Sequence, residues 1–395
     1  MGSPLPSHSA LDLGSSSRRT GFDRASVMRS VMALPGDVAD WMTGRAVIPS
    51  GDPCDADAAV RVVRASRQRA GMLTLEPDVH LFQSEAGLLG YGVWRRTAFV
   101  VGGVHPAPGQ DESGVLRAFR SSLAAGGFRQ VLVFPISKES RATLADIGWE
   151  SMLVGGEAIV DTSLFQLTGG ARENLRQMCN RARRNGISVR EVQVETSEAE
   201  LGPAYQRWLR ARPRGYRMAL VLGTPGFGRS DGRRFFGAFR GESPWGEAVV
   251  TVHPVAGGVG ASVDVFARDP NARPGAVDLL LVETIRQLGA EGVEWVSLGT
   301  CPLFEPAIPD AGEEPDRIRA NLLRKIWRSR WGNTLFGFQG LQRFKAKFAT
   351  RWEPVYLGGA PKVGIRALYQ GARMWGLLGR PRLRRVPEAS EARLS

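Results

Sequence analysis

A chain of 395 residues exceeds what one ordinary hydrophobic core serves, so two packed units of roughly 100 to 200 residues are expected. With 52 Lys and Arg against 39 Asp and Glu, its net charge of +13 favours phosphate-rich polymers and anionic lipid, and no run of about 18 apolar residues is present to cross a bilayer as a helix. The N-terminus lacks an apolar signal core, and Cys54, Cys179 and Cys301 are too scattered for a disulfide framework or a clustered metal site, so the expected setting is a reducing cytoplasm.

Residues 1–50 are rich in Ser, Gly and Arg, with one apolar stretch at 27–34, and are expected to be largely flexible. A helical pattern through Val60, Val63 and Ala65 follows, then strand-like runs at 80–83, 88–93 and 98–101. A helix is predicted over 113–124, stopped by Gly126 and Gly127, and a short buried strand over 130–135. The second half repeats this order: strands at 247–253 and 260–266, a helix over 277–288 stopped by Gly292, and a buried strand at 295–298. Ala125, Gly127 and Val131 have the same spacing as Ala290, Gly292 and Val296, each set at a helix-to-strand junction. Two such units predict an α/β (α+β) fold of tandem GNAT-like acyltransferase units, with mixed sheets carrying helices on their faces. The expected organisation is a flexible segment at 1–50, a first unit at 51–165, a basic linker helix with the second unit at 166–361, and a basic amphipathic tail at 362–395.

In the linker, residues 171–186, Leu175, Met178, Cys179 and Ala182 share one helical arc, with Arg172, Arg176 and Arg183 stacked beside it. This stripe reads either as a solvated face or as a site for an anion, since these arginines have no acidic partner at i+4. Near the C-terminus, Leu341, Phe344 and Phe348 define a helical face on which Lys345 borders the apolar side, whereas Lys347 lies toward the surface. In the tail, Ile365, Leu368, Tyr369, Ala372 and Trp375 share an arc flanked by Arg366 and Arg373, with Arg380, Arg382, Arg384 and Arg385 beyond. That pattern suits a helix in an anionic membrane interface and equally a last helix docked on the core.

Five stretches resemble the phosphatidylglycerol lysyltransferase and alanyltransferase family, in its order: Gly87 to Gly103, Gly148 to Asp161, Leu167 to Ile187, Ser262 to Ile285 continued by Gly292 to Leu303, and GFQGLQRFKAKFATRWEPVYL from Gly337 to Leu357. The stretch from Gly148 to Asp161 resembles the family's passage from first to second half, and the one from Gly337 is the most specific. Two departures stand out. The first-half Gly-Asp-Pro turn reads Gly103, Val104, His105, Pro106, and the arginine three positions after Asp264 is replaced by Ala267, with Arg268 next to it. Strand alternation would turn that guanidinium to the other face unless a bulge intervenes. The membrane-spanning region that the best-known lipid modifiers carry before the catalytic unit is not seen, so lipid translocation is not expected of this chain.

The resemblance implies transfer of an aminoacyl group from aminoacyl-tRNA to an acceptor hydroxyl, foremost that of phosphatidylglycerol, by a cytoplasmic enzyme working at the inner membrane face. A soluble amine, hydroxylamine or antibiotic precursor is the alternative acceptor, and a non-catalytic RNA- or membrane-binding relative the second alternative. An aminoacyl ester is already activated, so positioning and charge stabilisation suffice without a cofactor. The sequence agrees: it has no GxSxG motif or P-loop, and His8, His80, His105 and His253 have neither metal nor triad spacing. His105 and His253 read as structural, and Cys301 as a buried filler. Asp264 and Lys345 are the candidate catalytic residues, the first for the α-ammonium or the acceptor proton, the second for a phosphate or oxyanion. Arg268, Lys347 and Arg343 are candidate substrate contacts, and Arg172, Arg176, Arg181 and Arg183 candidate tRNA backbone contacts. The structural alternative for Asp264 is an ion pair with Arg268.

Overall fold

The computed structural model describes residues 55–212, 222–302, 304 and 338–376. The expected flexible segment and the arginines from Arg380 onward lie outside them. The first half opens with helix α1 (Ala56–Ala65), whose Asp55 side chain caps the backbone N–H groups of Asp57 and Ala58. Strands β1 (His80–Ser84), β2 (Gly87–Trp94) and β3 (Thr97–Pro106) form an antiparallel meander. Helix α2 (Glu112–Ala125), capped by Asp111, crosses over to β4 (Gln130–Ile136), which pairs parallel with β3. Helix α3 (Lys138–Asp146) and strand β5 (Glu150–Asp161) follow.

The linker forms helix α4 (Glu173–Arg184), with Glu173 in its first turn and Arg181, Arg183 and Arg184 in its last, charges that complement the helix dipole. Strand β6 (Ile187–Val192), helix α5 (Ser197–Ala211) and strands β7 (Arg234–Arg240), β8 (Ala248–Val255) and β9 (Gly260–Arg268) then build a second antiparallel run. Helix α6 (Ala276–Ala290) crosses over to β10 (Trp295–Pro302), parallel to β9. Helix α7 (Phe338–Ala346), strand β11 (Arg351–Ala360) and helix α8 (Ile365–Met374) complete the described chain.

The repeat read from the sequence is therefore structural. α2 and α6 end at Ala125 and Ala290, and Gly127 and Gly292 follow at φ +76 and +91, a left-handed turn that glycine accommodates without strain. The strands share one sheet in the order β1-β2-β3-β4-β11-β5-β10-β9-β8-β7-β6. The stretch 148–161, expected as the passage between halves, is in fact occupied by the long central strand β5. It pairs with β10 of the second half, while β11 inserts between β4 and β5.

Helices cover both faces of this sheet, which explains why runs such as Ala98–Val101 are apolar at consecutive rather than alternate positions. In the first half Val100, Val131 and Val133 pack against Leu116 and Phe119 of α2, whereas Phe99, Val101 and Leu132 face the α8 side. In the second half Phe236, Val250 and Val263 pack against α4 and α6, and Phe235, Val249 and Val265 against Leu201 and Tyr205 of α5. Within the tail, α8 packs on this layer. Ala367 and Met374 are buried, and Trp375 meets the rings of Phe99 and Phe134 edge-on at 5.5 and 4.9 Å. The face that α8 turns onto the sheet carries Ala367, Gln370, Gly371 and Met374, whereas Leu368, Tyr369, Ala372 and Trp375 of the predicted arc are only half-buried and Ile365 is 64% exposed.

Candidate functional site

Two adjacent strands part at the centre of the sheet. Parallel pairing of β9 with β10 covers only residues 260–262 and 295–297, and each strand then carries an extra residue. On β9 the register passes from Val263 opposite Val252 to Val265 opposite Thr251, so Asp264 is the bulged residue. On β10 the three steps from Ser297 to Thr300 match only two on β5, from Ile159 to Glu157. Beyond these bulges a cavity of about 690 Å³ opens between β9, β10 and α7, a size that suits a small-molecule or nucleotide ligand.

Lys345 forms part of its lining. Although it is only 4% exposed, its Nζ donates to the carbonyls of Gly299, at 2.9 Å, and Thr300, at 3.1 Å. The β10 bulge presents these carbonyls, and Gly299 itself sits at φ +82. An ammonium has three donors, so one is left without a hydrogen-bond acceptor among the described residues, with the Phe266 ring centre 5.9 Å from Nζ. Burial lowers the Lys345 pKa, an effect that Cys301 and Glu157 partly offset. Glu157 lines the same cavity, accepting from the Ser297 hydroxyl and from Arg69 at 3.0 Å, and Arg69 also pairs with Glu353. Cys301 is a buried free thiol, in agreement with a filler role.

Asp264 faces the cavity from the other strand. The expected structural pairing with Arg268 is not present. Instead Oδ1 lies 2.9 Å from His253 Nδ1, and Oδ2 lies 3.3 Å from Nε of Arg233. The Arg233 side chain is fully buried and also faces Glu76 at 3.3 Å and Asp231 at 3.6 Å; Arg229 stands 3.5 Å from Asp231. Burial depresses the Arg233 pKa, but Asp264, Asp231 and Glu76 outweigh it, leaving a net rise. Three carboxylates thus meet two guanidiniums and the His253 imidazole in one buried cluster. His105 is buried too, hydrogen-bonded to Thr74 at 2.9 Å with its pKa pushed down to about 3 by burial, as a structural imidazole.

The other sequence candidates divide. Lys347 lines the cavity but is neutralised by Asp278 in the first turn of α6, at 2.8 Å. Arg343 is exposed and bonds back to Gln339 O of its own helix. Arg268, exposed, lines the solvent side of the cavity.

Three arginines of the stripe have internal partners where the sequence suggested none. Arg172 donates to the carbonyls of Lys347, at 2.8 Å, and Phe348, at 3.1 Å, with its guanidinium 4.7 Å from the Phe165 ring centre. Arg176 donates to Leu167 O at 2.9 Å, and Arg183 pairs with Glu283. Arg181 is exposed. Sequence reading missed Arg69 with Glu157 and Glu76 with Arg233, pairs separated by 88 and 157 positions that only the fold brings together. The one visible signal was Glu157 inside a stretch carrying the family resemblance.

Residues 60–358 match the family described as phosphatidylglycerol lysyltransferase, C-terminal. The chain is 26% identical over 276 residues to the phosphatidylglycerol lysyltransferase of Bacillus subtilis, covering 68% of this chain and 30% of that protein. It is 30% identical over 223 residues to the lysylphosphatidylglycerol biosynthesis bifunctional protein LysX of Rhodococcus jostii, covering 53% of this chain and 19% of that protein. The matched region thus spans 19–30% of the length of these relatives. Two solved structures share its fold: the C-terminal domain of a lysylphosphatidylglycerol synthetase from Agrobacterium fabrum, described there as putative, with TM-score 0.66, 23% identity, and coverage of 81% of this chain and 96% of that one; and L-PGS from Bacillus licheniformis, with TM-score 0.65, 20% identity, and coverage of 85% and 99%.

Proposed function

The chain belongs to the phosphatidylglycerol lysyltransferase C-terminal family, and from that membership we propose that it transfers an aminoacyl group from aminoacyl-tRNA to the hydroxyl of phosphatidylglycerol at the inner membrane face. The observation that carries this reading is the buried Lys345 ammonium, held by two backbone carbonyls across the cavity from Asp264. The acceptor hydroxyl attacks the ester carbonyl and the terminal ribose hydroxyl leaves, taking up the proton. The remaining N–H of Lys345 meets the developing oxyanion, an interaction stronger in the transition state than in the ground state. The Asp264 carboxylate, on the opposite wall, holds the α-ammonium and so fixes the carbonyl in line.

A soluble amine, hydroxylamine or antibiotic precursor is the second reading of the acceptor, favoured by the packing of α8 on the sheet through Ala367, Met374 and the Trp375 ring. The two are separated by incubating the protein with a total charged tRNA pool and a lipid extract and analysing lipid and soluble fractions by mass spectrometry. An aminoacylated lipid supports the first reading, and an aminoacylated soluble product with unmodified lipid supports the second. No product in either fraction defeats both.

A further inference from the structure

The aromatic and basic residues on the solvent side of the cavity have no role in the chemistry above. Trp208 and Arg212, one turn apart at the C-terminal end of α5, line it together with Arg268, the last residue of β9. The ion pair Arg207–Asp269, between the chain neighbours of Trp208 and Arg268, fixes the two elements side by side. The Arg212 guanidinium lies 4.6 Å from the Trp208 ring centre, and Tyr205 backs the indole at 5.6 Å. Arg69, Lys345 and Lys347, which also line the cavity, are committed to Glu157, to backbone carbonyls and to Asp278, whereas Arg268 is exposed and has no partner among the described residues.

We propose that Trp208, Arg212 and Arg268 form the docking site for the unpaired 3′-terminal nucleotides of the donor tRNA, a role that rests on the aminoacyl-tRNA reading above. One base stacks on the Trp208–Arg212 pair and Arg268 takes a phosphate, so that the terminal ribose ester extends inward to Lys345. Stacking of a base on an aromatic side chain contributes about 1–3 kcal/mol and tolerates any base, and a planar guanidinium matches phosphate oxygens. A glycerol headgroup offers no flat face for the indole, which is why the site suits nucleic acid rather than the acceptor lipid.

The test is binding of the full chain to an acceptor-stem RNA minihelix, uncharged, with and without its unpaired 3′ end. Removing the 3′ end is expected to weaken wild-type binding by about 5- to 150-fold, the equivalent of one stacked base. Trp208→Ala should weaken binding of the overhanging minihelix by the same factor without affecting the blunt one, and Trp208→Phe should largely restore it. Arg268→Ala should reduce the slope of log affinity against log salt by about 0.7, one single-stranded phosphate contact. Equal wild-type affinity for the two minihelices removes this site while leaving the tRNA donor standing. Equal weakening of both by Trp208→Ala, or an effect of the variants on phosphatidylglycerol vesicle binding alone, also overturns it. Failure of wild-type protein to bind either minihelix defeats the donor reading and this inference with it.

Discussion

Lys345 is the residue on which sequence and structure agree most usefully. Its place on the border of an apolar helical face was readable from Leu341, Phe344 and Phe348, but its acceptors were not, because Gly299 and Thr300 become available only through a bulge that no local pattern encodes. Substituting Lys345 by Met should lower transfer by about two to three orders of magnitude, the usual loss for one preorganised oxyanion donor; a folded variant with normal single-turnover rates would make Lys345 structural. Burial also sets a pH signature. The folded-state pKa lies below the ordinary 10.5, so in the interval between the two values the unfolded chain holds more protons and stability rises with pH. The melting temperature of the wild type relative to Lys345→Met should therefore increase as pH approaches 10.5, while transfer declines as the ammonium is lost. Asp264 was visible from its interruption of an apolar strand, but its neighbours were misassigned: Arg233, not Arg268, is its guanidinium partner. Arg233→Met leaves three buried carboxylates with Arg229 as their one guanidinium and should cost about 3–5 kcal/mol by denaturant titration, with a loss below about 1 kcal/mol contradicting the cluster.

At the level of elements, the arginine stripe of α4 acts first on another helix. Arg172 holds the carbonyls at the C-terminal end of α7, the helix that carries Lys345, and burial lowers its pKa with no carboxylate to compensate. Arg172→Ala should thus reduce stability by about 1.5–3 kcal/mol, the range for hydrogen bonds from a charged donor, without altering the salt slope of tRNA binding. Arg181→Ala combined with Arg184→Ala, both exposed, should reduce that slope instead. The reverse pattern, measured by filter binding across a salt series, would return Arg172 to the RNA. Helix α8 makes the corresponding point for burial: Met374→Ala should cost about 2–5 kcal/mol, whereas Ile365→Ser should be near neutral, and equal effects in thermal melts would contradict docking. Helical periodicity revealed these helices, yet it left open what their apolar faces touch. α5 escaped notice because Pro203 interrupts its pattern while remaining inside the helix, and β5 because its central Gly-Gly pair reads as a turn.

Over the whole molecule, the repeat was legible because both halves spend the same residue types on the same strand, helix and glycine-stopped order. The joining of the halves was not. Tyr356 of β11 pairs with Ile136 of β4, and Arg351 with Ile159 of β5, and pairing at such separation leaves no local trace. One sheet shared in this manner should unfold as one unit: calorimetry of the chain is expected to show a single transition for this sheet, and two well-separated transitions would mean that the halves are independent. The central claim, that the cavity between β9 and β10 receives an aminoacyl group from tRNA and passes it on, is tested most directly with labelled aminoacyl-tRNA, phosphatidylglycerol vesicles and the purified chain. Label should pass into the lipid fraction, disappear when the RNA is digested beforehand, and fall by about two to three orders of magnitude in Lys345→Met. Folded wild-type protein that leaves all the label on tRNA, with vesicles or with a soluble extract as acceptor, would contradict the account.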